Sequence, residues 1–165
     1  MRVGIIGGAG YAGGELLRLL LDHPKAAVAA VSSESHAGQA VYRAHPNLQG
    51  RTDLRFAPEV DTEGLDCLFL AGGHGDAMKR VPNLLKKHPA LKVIDLSGDF
   101  RLLDAASYES WYGIPHTAQD LLGSFAYGLS ELNRKSIQSA KLVANPGCFA
   151  TAIALALAPL AKAGV

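Results

Sequence analysis

Residues 3–20 read VGIIGGAGYAGGELLRLL: an apolar run, a cluster of glycines and a leucine-rich segment in direct succession. The first part predicts a short buried strand and the last a helix, which should stop near Pro24. Between them, Gly7-x-x-Gly10-x-x-Gly13 and Gly8-x-Gly10-x-x-Gly13 overlap. Glycines in a strand-to-helix turn let the chain reverse tightly and let a pyrophosphate approach the backbone. The unpaired N–H groups of the first helical turn then face the phosphates. The context makes this stretch a candidate dinucleotide loop rather than a mere tight turn. Two other nucleotide devices are missing: no Gly-Lys-Ser/Thr follows the glycines, and none of the five tyrosines has a lysine four residues later.

Outward from the loop the pattern repeats. AAVAAVSS, LDCLFLAGG, LKVIDLS and AKLVAN are further apolar runs ending in small or polar residues, and GDAMKRVPNLLKKHP and NRKSIQSA are helical candidates between them. Pro82 predicts a break or restart in the first of these. Strands that alternate with helices, and that are apolar throughout, predict an α/β chain with a mostly parallel, doubly wound Rossmann-type sheet. Residues 32–52 and 97–128 read as loop-rich. Tyr108, Trp111 and Tyr112, at helical spacing, read as packing residues.

Composition narrows the class. Hydrophobic residues make up 48% of the 165 and charged residues 19%, a globular balance. The net charge of +1 offers no basic excess for nucleic acid. Two cysteines, Cys67 and Cys148, support neither a disulfide framework nor a Cys-rich metal site, and suit a reducing cytoplasm. No apolar run is long enough to span a bilayer, so no membrane is expected.

The second strand ends Val31-Ser32-Ser33-Glu34-Ser35. An acid there commonly grips the ribose hydroxyls of NAD, whereas serines and backbone N–H groups can hold the 2′-phosphate of NADP. Glu34 would repel that phosphate and no arginine is adjacent, so the residues leave both cofactors open.

Cys148 follows Asn145-Pro146-Gly147 and opens the apolar run CFATAIALALAPLAKAG. A helix starting there puts the sulfur at its first turn, where the N–H groups and the helix dipole suit an anion. The strand before it would carry the cysteine to the C-terminal edge of the sheet, where ligands bind. A thiolate beside a nicotinamide permits acyl transfer followed by hydride delivery. The competing reading is a buried structural cysteine, which is also the reading of Cys67. His74, in a glycine-rich loop after a strand, is either close to the nicotinamide or a solvent-facing loop residue. Arg101 reads as a structural salt bridge or as a contact for an acidic substrate.

Taken together, GGAGYAGGELLRLL, HPNLQGRTDL, DLSGDFRL, YGLSEL and NPGCFAT resemble the N-acetyl-gamma-glutamyl-phosphate reductases of the semialdehyde dehydrogenase group. The carrier-protein-linked aminoadipyl phosphate reductases share most of these motifs. The resemblance implies a cytoplasmic, NADPH-dependent reductase of an acyl phosphate, with Cys148 forming a thioester. It implies that Gly7, Ala9, Gly10, Tyr11, Ala12 and Gly13 hold the pyrophosphate and that Ser33, Glu34 and Ser35 meet the adenosine ribose and its 2′-phosphate. It further implies an NADP-binding domain over 1–145, and over 146–165 the active-site loop and first helix of a second, α+β domain. That domain, expected beyond Val165, would carry the acid/base histidine and much of a homo-oligomer interface. None of the six histidines present matches the family's acid/base group.

Overall fold

A computed structural model describes all 165 residues. Along the chain run β1 (Arg2–Ile6), α1 (Tyr11–Leu21), β2 (Ala27–Ser32), β3 (Cys67–Leu70), α2 (Ala77–Lys87) and β4 (Lys92–Asp95). There follow α3 (Ala105–Tyr112), β5 (Ala126–Tyr127), α4 (Ser130–Ser139), β6 (Leu142–Ala144) and α5 (Cys148–Ala163). The six strands form one sheet in the order β2-β1-β3-β4-β6-β5, with every neighbouring pair parallel. This is the α/β Rossmann-type sheet that the alternation of runs predicts.

Side chains alternate across a strand, so a sheet covered on both sides needs two cores. One core joins Val3, Ile5, Val31 and Cys67 to Leu17 and Leu20 of α1 and to Val41, Leu48 and Phe56 of the loop after β2. The other joins Leu68, Leu70 and Val93 to Ala77, Met78 and Val81 of α2 and to Phe100 and Tyr108. The loop after β2 holds only two short 3-10 turns, Val41–Arg43 and Pro46–Leu48, and seals the first core. Strand order reverses between β1 and β3: β2 lies to one side of β1, and the chain then crosses over to β3 on the other. A ligand crevice is expected at the carboxyl ends of those strands.

Three local expectations are corrected. α2 runs unbroken through Pro82. That proline cannot donate to the carbonyl four residues back, a cost of about 3 kcal/mol. Burial of Ala77, Met78 and Val81 outweighs it at roughly 1.5–3 kcal/mol per large apolar side chain. The segment 97–128 is not only loop: it contains α3 and β5. α3 starts at Asp104, whose carboxylate accepts from the Ser107 N–H at 2.9 Å, and ends at Gly113 in the left-handed conformation, φ 72°. β5 has only two residues, too few to carry a period. Finally, Tyr108 is a packing residue but Trp111 is not, being 81% exposed.

Candidate functional site

β1 leads into Gly7, whose φ of +81° only glycine adopts without strain. A Cβ at Gly13 would lie 2.5 Å from the Gly7 carbonyl oxygen, so the loop and the first turn of α1 pack backbone on backbone. Gly10 differs from both. Its φ and ψ, −73° and 169°, suit any residue, and a Cβ there would meet nothing closer than 3.7 Å. Neither the fold nor the packing asks for glycine at this position, and its absent side chain leaves the backbone open to the adjoining cleft. α1 has no side-chain cap. The N–H groups of Ala9, Tyr11, Ala12 and Gly13 make no hydrogen bond within the chain, although Gly10 N–H reaches Gly7 O and Gly14 N–H reaches Gly10 O. Four directed donors around an open backbone match the oxygens of a pyrophosphate.

A cleft of about 460 Å³ opens beside this loop at the carboxyl ends of β1, β2, β3 and β4. Gly7, Ala9 and Gly10 line one side, and Ser33, Glu34, Ser35 and His36 another. Ser33 Oγ lies 3.3 Å from Ser35 Oγ, which lies 2.9 Å from His36 Nδ1, a run of polar groups along one wall. From α2 comes Arg80, which donates from Nη1 to Glu59 Oε2 at 3.1 Å. Such a half-exposed pair is worth at most about 1 kcal/mol, so the guanidinium is readily recruited by a ligand. No arginine stands near Ser33 in sequence, yet the sheet brings this one to the same cleft.

At the far end lie Asp95 and Ser97. Asp95 is fully buried, and its carboxylate accepts from the Ser97 N–H and Oγ, each at 2.9 Å. Burial pushes its carboxyl up to about 6, against the pull of the two Ser97 bonds; the Asp99 charge adds to the rise and Arg101 opposes it. Asp99, also buried, accepts from Gly75 N–H at 2.7 Å, Met78 N–H at 3.0 Å and Tyr108 Oη at 2.9 Å. It pins the start of α2 to α3.

Cys148 begins α5 and is exposed, while Cys67 is buried and burial pushes its thiol up to about 11. No side chain caps α5, and the N–H groups of Cys148, Phe149 and Ala150 make no bond within the chain. The cysteine shares a hollow with Gly128, Ser130, Glu131 and Asn145. β6 delivers it: Ala144 is in register with Asp95, and Asn145 N–H donates to Asp95 O at 2.7 Å. Arg101 forms no salt bridge. Its Nε donates to Asn145 O at 2.7 Å and its Nη2 to Leu96 O at 2.8 Å, so it ties the end of β4 to the turn before Cys148. His74 accepts from Gly98 N–H at Nδ1, 2.8 Å, with its ring edge-on to Tyr112. It is not among the residues lining the cleft.

The pattern described as semialdehyde dehydrogenase, NAD binding domain matches residues 2–140. The chain belongs to this family. Among its relatives, a putative [LysW]-L-2-aminoadipate 6-phosphate reductase of Thermomicrobium roseum is 50% identical over 99% of this chain and 46% of its own length. An N-acetyl-gamma-glutamyl-phosphate reductase of a Janthinobacterium strain is also 50% identical, over 100% of this chain and 48% of its own length. The chain therefore spans about half the length of these relatives. Among solved structures, aspartate semialdehyde dehydrogenase II of Vibrio cholerae superposes on 98% of this chain and 42% of its own, with a TM-score of 0.67 at 21% identity, a likeness of fold.

Within this semialdehyde dehydrogenase frame, the short motifs were readable in advance, but His36, Glu59, Asp76, Arg80, Asp95 and Ser97 were not read as cleft residues. For Asp95 and Ser97 the available signal is the polar ending of the run LKVIDLS, whereas His36, Glu59, Asp76 and Arg80 end no such run. The switch-point rule sends every such ending to one edge.

Proposed function

We propose that this chain is the cofactor-binding and nucleophile-bearing part of a cytoplasmic, NADPH-dependent acyl-phosphate reductase. Its substrate would be N-acetyl-gamma-glutamyl phosphate and its product the semialdehyde. Residues 1–145 form the cofactor domain, and 146–165 open the catalytic domain of a homo-oligomer. The observation that carries this reading is the placement of Cys148: exposed, first in its helix, and one turn beyond the strand that pairs with the cleft-lining Asp95. The names of the relatives supply the substrate class. A carrier-linked aminoadipyl phosphate is the second reading, favoured by the Thermomicrobium relative.

In the proposed reaction Cys148 Sγ bonds to the acyl carbon as the carbon–oxygen bond to phosphate breaks, giving a thioester and inorganic phosphate. The unpaired N–H groups at the start of α5 stabilise the oxygen that carries charge during attack. NADPH, when bound, would supply the hydride that takes the thioester carbon to the aldehyde level, the carbon–sulfur bond breaking so that the aldehyde leaves and the Cys148 sulfur is regenerated. Ala9, Tyr11, Ala12 and Gly13 would hold its pyrophosphate through N–H groups, with Gly7 and Gly10 keeping the backbone open. Ser33, Ser35 and Arg80 would meet the 2′-phosphate, opposed by Glu34. Arg101 keeps the Cys148 turn at a fixed distance from the Asp95 end of the cleft.

Reduction also needs an acid/base group and an acyl pocket. Residues 1–165 alone should therefore show essentially no turnover with NADPH and N-acetyl-gamma-glutamyl phosphate. Joined to the second half of a close relative, the chain should turn over, and Cys148→Ala should abolish that activity. Undiminished activity in Cys148→Ala would reject the thioester route.

A further inference from the structure

The loop that carries the pyrophosphate donors is held from outside the cleft by a residue given no role so far. His45 Nε2 lies 2.7 Å from the Gly8 carbonyl oxygen, a bond in which the imidazole N–H donates. Gly8 is fixed at its other end as well, by its N–H to Ser32 O at 2.8 Å. A trans peptide is planar, with its C=O and the next N–H pointing in opposite directions. Holding the Gly8 carbonyl toward His45 therefore turns the Ala9 N–H away from it. Ala9 lines the cleft, and its N–H has no partner in the chain.

The fold invests in this contact. A Cβ on Gly14 would lie within 2.3–2.8 Å of three atoms of the His45 ring, so glycine at 14 lets the imidazole reach under the loop. The ring stands edge-on to buried Phe56, 6.3 Å between centroids. Its backbone N–H bonds to Val41 O at 3.0 Å, between the two 3-10 turns that insert Val41 and Leu48 into the core.

We propose that His45 is a positioning residue for the dinucleotide: it aims the Gly8–Ala9 peptide so that the Ala9 N–H meets the pyrophosphate. This rests on the cofactor assignment above. His45→Phe keeps an aromatic ring beside Phe56 but removes the donor. His45→Gln restores an N–H donor at similar reach. Calorimetric titration with NADPH, with melting of the free chain in parallel, should show His45→Phe about tenfold weaker, the worth of one strong hydrogen bond to a phosphate. His45→Gln should recover affinity to within about threefold, and Gly14→Ala, which displaces the ring, should repeat the His45→Phe loss. Unchanged affinity in His45→Phe would overturn the proposal. So would an equal loss in the Phe and Gln variants that tracks their melting temperatures, since that marks a structural role only. A wild-type chain that binds no dinucleotide would overturn the cofactor assignment, and this proposal with it.

Discussion

At the scale of single residues, the glycines of one loop separate into those whose Cβ the fold would reject and one, Gly10, where the fold leaves room for a side chain. Gly13→Ala drives a Cβ into the Gly7 backbone and should unfold or strongly destabilise the chain. Gly10→Val meets no such obstacle. It should melt within a few degrees of wild type while losing dinucleotide affinity by at least about tenfold, since its side chain occupies the phosphate's approach. The two cysteines separate in the same way. Iodoacetamide at neutral pH should label exposed Cys148 and spare buried Cys67, read by peptide mass. Labelling of Cys67 first would contradict the assignment of which sulfur is reactive. Asp95 makes a prediction with a definite sign. Burial raises its carboxyl from the ordinary 3.8 to about 6, so the folded state holds this proton longer than the unfolded chain. Its contribution to stability is therefore greatest in acid and falls as pH rises from about 4 through 6, by at most about 3 kcal/mol. Subtracting the stability of Asp95→Asn from that of wild type across this range in urea melts should reveal a falling difference. A difference that rises would reject the raised value.

At the scale of elements, Asp99 makes the testable joint between α2 and α3. Tyr108→Phe removes one bond to a buried carboxylate and should cost roughly 1.5–3 kcal/mol in urea denaturation. The sequence announced the elements whose signals are local: β1, the glycine turn and α1 lie within twenty residues, and Cys148 after Gly147 marks its own helix start. It did not announce features that distant residues impose. α2 survives Pro82 because Met78 and Val81 are buried in the core shared with β3, β4 and α3, and a single proline rule has no access to that burial. β5 exists because β6 offers it an edge. The candidate site divides on the same line. Gly7 to Gly13, Ser33 to Ser35 and Cys148 stand in short motifs, whereas Arg80, Glu59 and Asp95 meet in one cleft only through the order of the strands. By charge alone Arg101 reads as a salt bridge or a contact for an acidic substrate, and the fold gives it two carbonyls.

At the scale of the whole molecule, α5 stands apart. None of its residues is buried, and Phe149, Ile153, Leu157 and Leu160 recur at helical spacing with 49–81% exposure. Covering that stripe is worth roughly 1.5–3 kcal/mol per side chain. Residues 1–165 should therefore self-associate as concentration rises, and Phe149→Glu with Leu157→Glu should return them to a monomer in light scattering. A wild-type chain that stays monomeric at high concentration would show that the stripe is satisfied by other means. The central claim concerns the other end of the molecule, where loop, cleft and polar wall converge on one cofactor. Calorimetric titration of the chain with NADPH and with NADH tests it most directly. NADPH should bind the more tightly, with Glu34→Gln widening its advantage as the repulsion of the 2′-phosphate is removed. Equal affinity for the two nucleotides, or binding of neither, would contradict it.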